Sequence, residues 1–142
     1  MSDEPTTIAQ ANVSSALARR LIDAGRAHAE SVGKAFTIAV VDASGVLKAL
    51  ERMDGAPLIS IQIAQDKAYT AVGFGIPSAA WHDFIKDDPP LAAGAPSGID
   101  RLVVFGGGIP ITVDGAVVGA VGVSGGHYSE DVAVAEAALA VV

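Results

Sequence analysis

The Asp114-Gly115 step constrains the fold of this chain more than any other local feature. An apolar run from Ile109 to Val113 precedes the step, and Ala116 to Val123 follows it. A two-residue Asp-Gly connection favours the primed β-turn, whose twist matches that of two paired strands. The pattern therefore predicts a β-hairpin. Glycine-rich segments, Gly106-Gly107-Gly108 and Ser124-Gly125-Gly126, flank it on both sides.

A second hairpin is predicted nearer the N-terminus. Its strands are Phe36 to Asp42 and Val46 to Met53, and the turn from Asp42 to Gly45 has Asp first and Gly last, as β-turns prefer. Neither face of Val46 to Met53 is cleanly apolar, because polar and apolar residues occur on both faces. This strand is therefore expected at an edge of the sheet or facing a ligand.

Helical periodicity, together with start and stop residues, predicts helices over residues 7–32, 58–72 and 129–142, and a short helix that starts at Pro77 and ends before Asp88. The first opens at Thr7, which has capping-box spacing to Gln10. Residues 91–100 are expected to form an ordered loop. The predicted order is αββααβββα, in one α+β domain over residues 1–142 with a disordered tail at 1–6. An antiparallel sheet of about five strands would be covered by helices.

The composition limits the classes of protein to which the chain can belong. Its 142 residues suit one domain with a single core. Although 51% of the residues are hydrophobic, no apolar run approaches the roughly 18 residues of a membrane span. We therefore expect a soluble protein with no membrane partner. Because the apolar fraction exceeds what one small core needs, we also expect a homo-oligomer.

The net charge and the lack of cysteine further limit the partners and the chemistry expected of this chain. A formal net charge of −7 would repel the phosphates of nucleic acid, so no nucleic-acid partner is expected. The absence of cysteine excludes disulfides, thiolate nucleophiles and Cys-ligated zinc. The N-terminal MSDEPTT lacks the apolar segment of a signal peptide, which makes a cytoplasmic location the expectation.

Lys67 is the first candidate functional residue. On a helical wheel it falls on the face that also holds Ala64 and Ala71, the side expected to be buried. A lone buried ammonium is costly, so the lysine must be paired, deprotonated or open to a cavity. Asp54 is its nearest candidate partner in sequence. The alternative is a lysine with a buried stem and a solvent-exposed head.

Ser124-Gly125-Gly126-His127 joins the end of a predicted strand to the start of a helix. Free N–H groups and the helix dipole at such a junction favour an anion. His127 beside it is placed to transfer a proton or ligate a metal, although an exposed loop histidine is the alternative. His82 and Arg52 are weaker candidates. No P-loop, nucleophile elbow, HExxH motif or dinucleotide fingerprint is present, and no metal site is predicted.

Four motifs carry a family resemblance: VVDASGVLKALERMDGAP, SIQIAQDKAYTA, GGGIPITVDGAVVGAVGVSGG and SEDVAVAEA. In this order they resemble the GlcG/HbpS-like family of haem-degrading-domain proteins, which are also similar to the C-terminal domain of PduO-type proteins. The resemblance covers roughly residues 8–142 of this sequence. It implies a profilin-like α+β fold, a homo-oligomer that is octameric in some members, and haem or another tetrapyrrole as ligand. The motif positions are Arg52, Asp54, Lys67, Thr70, Gly107, Gly108, Pro110, Ser124, Gly125 and Asp131.

Two functional hypotheses follow, beside the simpler reading of an accessory or assembly protein. The first is a haem carrier or sensor, with Lys67 or Arg52 binding the propionates and His127, His82 or Thr70 near the iron. The resemblance implies that Thr70 lies close to the haem-binding region. The second is a cofactor-independent isomerase, lyase or hydrolase of an anionic small molecule, with Lys67 and His127 in proton transfer. In both, Gly107 and Gly108 line the wall opposite Ser124 and Gly125.

Overall fold

The computed structural model describes residues 3–142, so the first two residues of the predicted tail lie outside the described range. Within that range the fold is α+β, as predicted. The strands are β1 (Thr37–Asp42), β2 (Leu47–Arg52), β3 (Gly108–Val113) and β4 (Ala116–Ser124). The helices are α1 (Ser15–Ser31), α2 (Ser60–Phe74), α3 (Ala80–Ile85), α4 (Pro89–Gly98) and α5 (Tyr128–Leu139). None of these helices is both long and apolar enough to cross a membrane.

The strands form one antiparallel sheet in the order β2-β1-β4-β3. The Asp114-Gly115 hairpin is confirmed: Val113 pairs with Ala116, and the two turn residues have φ angles of 50° and 81°. Positive φ at both positions is the signature of a type I′ turn. β2 is an edge strand, as its mixed pattern indicated. The sheet has four strands rather than about five.

The extra strand in the predicted order is wrong, since residues 101–107 form no strand. Their backbone is held by side chains instead of by a neighbouring strand. The Thr70 hydroxyl donates to the Arg101 carbonyl at 2.9 Å and accepts from the Val103 N–H at 3.0 Å. Further along, the Ser78 hydroxyl donates to the Phe105 carbonyl at 2.7 Å. These bonds satisfy backbone groups that a sheet would otherwise have to satisfy.

The predicted loop at residues 91–100 is also wrong, because most of it belongs to α4. Asp88 is the N-cap of this helix, and its side chain accepts a hydrogen bond from the Leu91 N–H. Pro89 occupies the first helical position, where its missing N–H costs nothing. The Asp-Pro-Pro sequence that ends the preceding helical stretch therefore also starts the next helix.

The first helix begins later than the predicted Thr7. Its N-cap is Ser14, whose hydroxyl accepts from the Leu17 N–H at 3.0 Å. Just before it, the N–H of the buried Val13 donates to the Val118 carbonyl of β4 at 2.9 Å. Because that N–H is bound to the sheet, the chain reaches α1 in an extended form.

The two faces of the sheet differ in residue size. On one face Ile38, Val121 and Val123 pack in the main buried cluster with side chains of α1 and α5. On the other face Val41 and Ala120 pack against the alanines of α2. The larger residues set the usual distance between sheet and helices on the first face, whereas the small ones let α2 lie close to the strands on the second.

Two glycines bring the backbone of α2 into direct contact with the sheet. A Cβ atom at Gly108 would overlap the Lys67 carbonyl, and one at Gly122 would overlap the Ala64 carbonyl. No side chain larger than hydrogen fits at either position without moving the helix. This close approach places Lys67 beside the glycine-rich segment that precedes β3.

We expect Gly122→Ala to lower the free energy of unfolding by about 1–3 kcal/mol, because its methyl group would force α2 away from β4. Gly73→Ala in the same helix is the control, since no atom lies within 4 Å of the added Cβ. It should raise stability by roughly 0.5–1 kcal/mol through helix propensity. Urea unfolding of both variants checks this, and equal stabilities would contradict the close approach.

Candidate functional site

Lys67 is fully buried and ion-paired. Its Nζ donates to the Asp131 Oδ2 at 2.6 Å and to the Val123 carbonyl at 3.0 Å. The two side chains are 1% and 2% exposed. The buried position predicted from helical periodicity is confirmed, but the partner is Asp131 rather than Asp54.

Backbone geometry at the ends of β3 and β4 makes room for this pair. Gly107, with φ of 131°, lies so close to the lysine that a Cβ there would be 2.8 Å from its Nζ. The second carboxylate oxygen of Asp131, Oδ1, accepts the Gly126 N–H at 3.1 Å. Glycine at 107 thus admits the lysine, and the turn at 126 holds its partner.

Burial and pairing act in opposite directions on the two ionisable groups. Burial lowers the pKa of Lys67, while its hydrogen bond to Asp131 opposes that change. Burial raises the pKa of Asp131, and the bonds from Lys67 and the Gly126 N–H oppose it. Each charge is therefore tolerated because the other is present.

The N-terminus of α5 is already occupied by side chains of the chain itself. Helix α5 begins at Tyr128, one residue before the predicted start, and His127 is its N-cap. The His127 Nδ1 accepts the Ser129 N–H at 3.2 Å, and the His127 N–H donates to the Glu130 Oε1 at 3.0 Å. Together with the bond from the Gly126 N–H to Asp131, these contacts use N–H groups that the sequence suggested for a ligand anion.

The capping role of His127 also sets its tautomer. Nδ1 also lies 2.8 Å from the Ser129 hydroxyl, which can donate to it. With Nδ1 as the acceptor of both contacts, the neutral ring carries its proton on Nε2. The imidazole is exposed and contacts the Tyr128 ring, with centroids 4.0 Å apart and planes tilted by 37°. His127 therefore offers an N–H donor to any ligand beside it.

A cavity of about 350 Å³, called here the Lys67 cavity, opens above the ion pair. Its polar lining includes the Lys67–Asp131 pair and Ser124, which is 7% exposed. The Ser124 hydroxyl makes no hydrogen bond to any residue in the described range 3–142. The remaining lining residues are Pro57, Ile59, Ser60, Ile63, Phe105, Gly125, Gly126, His127 and Tyr128.

A second cavity of about 420 Å³ adjoins the first and contains His82. Phe105 and Tyr128 line both cavities, are 44% and 52% exposed, and have ring centroids 6.5 Å apart. We call these two rings the aromatic ridge. The structure thus places His127 and His82 at cavities on its two sides. Sequence reasoning did not single out Phe105, because a phenylalanine in an apolar run is usually core.

Other predicted site residues lie elsewhere. Arg52 donates from Nε and Nη2 to the Ala56 carbonyl at 3.1 and 2.9 Å, and lines a separate depression with Asp54. Thr70 is buried, and its hydroxyl is bonded to the backbone of residues 101 and 103. Gly108 packs under α2. Within residues 3–142, no group of three or more His, Asp or Glu side chains is arranged to hold a metal ion.

Comparison with known proteins identifies the family. The family model described as "Haem degrading protein HbpS-like" matches residues 13–140. An uncharacterized 15.0 kDa protein from the dhaT-dhaS intergenic region of Citrobacter freundii is 35% identical over 129 residues, which are 91% of each chain. Protein GlcG of Escherichia coli K12 is 36% identical over 112 residues, covering 79% of this chain and 81% of GlcG.

A solved structure supports the same relationship. The crystal structure of a PduOC–haem complex superposes with a TM-score of 0.85 and 28% sequence identity. The match covers 92% of this chain and 95% of the PduOC chain. The PduO resemblance read from the four motifs therefore extends to the fold.

The Lys67–Asp131 pair gives a stability prediction. Lys67→Met and Asp131→Asn should each lower the free energy of unfolding by about 3–5 kcal/mol, because each leaves a buried charge unpaired. The loss of unfolding free energy in the double variant should be much smaller than the sum of the two single losses. Neither charge remains in it, and the asparagine introduced at position 131 can still accept the Gly126 N–H as Asp131 does. Urea unfolding of all four proteins checks this, and additive losses would contradict a direct pairing.

The pH dependence of Lys67→Met provides a further check. Without the lysine, the pKa of Asp131 in the folded protein rises further above its unfolded value. The folded state then binds a proton that the unfolded state does not, so protonation stabilises it. The deficit of this variant relative to the parent protein should therefore shrink as the pH falls from 8 to 5.

Proposed function

The chain belongs to the HbpS-like family, and we propose that it binds haem along the aromatic ridge. The observation that carries this proposal is the position of the two exposed histidines, which line adjoining cavities sharing Phe105 and Tyr128. A relative of the same fold, PduOC, forms a complex with haem. Each feature alone is common, whereas their combination on the two sides of one aromatic ridge favours a flat ligand with a metal centre.

The residues present fit this ligand. A porphyrin is flat and largely apolar, and the exposed faces of Phe105 and Tyr128 provide aromatic surface on which it can pack. Imidazole is a common iron ligand in haem proteins, and both histidines are exposed. When bound, haem would supply the redox and ligand-binding chemistry of its iron.

His82 is the better candidate for the iron ligand. Its side chain makes no hydrogen bond within residues 3–142, so either ring nitrogen is free. His127 has its Nδ1 committed to the Ser129 N–H, which leaves Nε2 protonated and unable to ligate without breaking the cap. We therefore assign iron ligation to His82 and hydrogen-bond donation to His127.

We further propose a carrier or sensor role for the bound haem. Both histidines and both rings of the aromatic ridge are at the surface, which favours exchange of the ligand. Arg52 and Thr70 take no part in this proposal, because neither lines the two cavities and both side chains are bonded to the backbone.

A cofactor-independent enzyme for an anionic substrate is the second candidate. It is favoured by one observation: Lys67, whose pKa is lowered by burial, lines the same cavity as His127. A lysine of this kind can act in proton transfer. The Lys67 ammonium, however, is held by hydrogen bonds to Asp131 and Val123, which oppose its use in proton transfer. Haem binding is therefore the preferred proposal.

Titration with haemin tests the first proposal. We expect a shifted Soret band on binding, and His82→Ala should weaken binding and change the band because the iron loses its ligand. His28→Ala is the matched control, since His28 lies in the last turn of α1 away from both cavities. No Soret shift with the parent protein would contradict haem binding. Loss of the band in His127→Ala alone would contradict the choice of ligand.

We also propose that the chain forms a homo-oligomer, with an octamer implied by the family resemblance. Large apolar side chains are exposed at the start of α2, where Leu58 and Ile59 are 74% and 70% exposed, and at Phe74 and Phe84, which are 58% and 55% exposed. Patches of this kind usually mark contacts with other chains. Light scattering should give a multiple of 14.2 kDa, and a mass of one chain at micromolar concentration would contradict the proposal.

A further inference from the structure

We propose that the polar end of the Lys67 cavity, at Lys67 and Ser124, binds the carboxylate of a small, mainly apolar monocarboxylic acid. This inference deepens the proposed function and rests on the same cavity, but it does not require haem. It is carried by the hydrogen-bonding groups that the fold leaves unused at the bottom of the cavity.

The Ser124 hydroxyl is the first unused group. It lines the cavity, its residue is 7% exposed, and it has no hydrogen-bond partner within residues 3–142. Its oxygen is not among the buried atoms that lack a partner in that range, so it is accessible from the cavity and can bond a ligand or water there. Lys67 has the second group, because only two of its three ammonium N–H bonds have a hydrogen-bond acceptor within residues 3–142, Asp131 and Val123. The same Nζ lies 5.1 Å from the centroid of the Phe105 ring, which lines the cavity.

The nearby oxygens of Asp131 and Ser60 each already take part in a hydrogen bond within the protein. Asp131 accepts from Lys67 through Oδ2 and from the Gly126 N–H through Oδ1. The Ser60 hydroxyl lies 2.8 Å from the Thr37 hydroxyl and donates to the Pro57 carbonyl at 2.5 Å. The remaining Lys67 N–H can only donate, and the Ser124 hydroxyl can donate as well, so a ligand that brings an acceptor satisfies both groups.

His127 adds a donor at the mouth of the cavity. Its Nδ1 is occupied by the Ser129 N–H, so the N–H of Nε2 is available to a ligand. Donors from Lys67, Ser124 and His127 match the two oxygens of a carboxylate, each of which accepts more than one hydrogen bond.

The charge balance favours a single negative charge. Lys67 neutralises Asp131, so the cavity presents donors without a large net charge. A doubly charged phosphate would meet no unpaired cation in this region of the described chain and would lie close to the Asp131 carboxylate. A monocarboxylate carries less charge to desolvate.

The walls indicate that the rest of the ligand is apolar. Ile59, Ile63, Phe105 and Tyr128 surround the polar end. A volume of about 350 Å³ is near the lower limit of the roughly 300–1,000 Å³ found for small-molecule sites. A short acyl chain or a single aromatic ring fits both the size and the lining.

Calorimetric titration with benzoate tests the proposal, with benzamide as an uncharged analogue of the same shape. Benzoate should bind, and benzamide should bind at least about ten-fold more weakly because its amide offers fewer acceptors. Ser124→Ala should weaken benzoate binding by about ten-fold. Ser97→Ala is the control, since that serine is exposed on α4 and only bonds within its helix. Equal affinity for the two ligands, or an unchanged affinity in Ser124→Ala, would overturn the proposal.

Haemin titration of the same preparations separates this inference from the haem proposal. Benzoate binding that depends on Ser124 without any Soret shift would support the carboxylate site and reject haem. A Soret shift that depends on His82 without benzoate binding would support haem binding and reject the carboxylate site. If both bind, benzoate should raise the haemin concentration needed for half saturation, because both ligands occupy the Lys67 cavity.

Discussion

The close approach of α2 to strands β3 and β4 is the constraint on which the rest of the structure depends. Gly108 and Gly122 leave no space for a side chain between the strands and the backbone of the helix. The Lys67 side chain extends past Gly107 to the end of β4, where it donates to the Val123 carbonyl. Because α5 follows β4 directly, Asp131 reaches the same point from the other side of the sheet. The ion pair therefore ties together the two helical layers.

A buried ion pair is a poor way to stabilise a fold, since well-packed apolar residues of similar volume often do at least as well. Two features suggest why this one is placed at the base of a cavity. One lysine N–H and the neighbouring Ser124 hydroxyl have no hydrogen-bond partner in the part of the chain that the structure describes, and both residues line the Lys67 cavity. A purely structural pair would gain from satisfying every polar group. Groups left unused at the bottom of an open cavity are what recognition of a ligand requires.

Local features were predictable from the sequence, and contacts between distant segments were not. The Asp114-Gly115 turn needs only its own φ angles, and periodicity alone places Lys67 on the buried side of α2. The partner of that lysine is 64 residues away, whereas the nearer Asp54 lies in another depression. Residues 101–107 have an apolar, strand-like sequence, but the hydroxyls of Thr70 and Ser78 bind their backbone. Asp88-Pro89-Pro90 is a signal for a helix start as well as for a helix end, and in the structure it starts α4.

The helix N-terminus at α5 shows how one local choice determines the chemistry of the cavity. Had its N–H groups been free, the dipole of α5 would have bound an anion of almost any kind. These N–H groups instead donate to Asp131, Glu130 and the His127 ring. Selectivity for a ligand therefore depends on the side-chain donors that remain. The same bond to His127 keeps its Nε2 protonated, which makes it a donor and leaves His82 as the free imidazole across the aromatic ridge. A ligand with a carboxylate at one end and a flat apolar body carrying a metal would reach both cavities, whereas a small carboxylic acid would fill the first cavity alone.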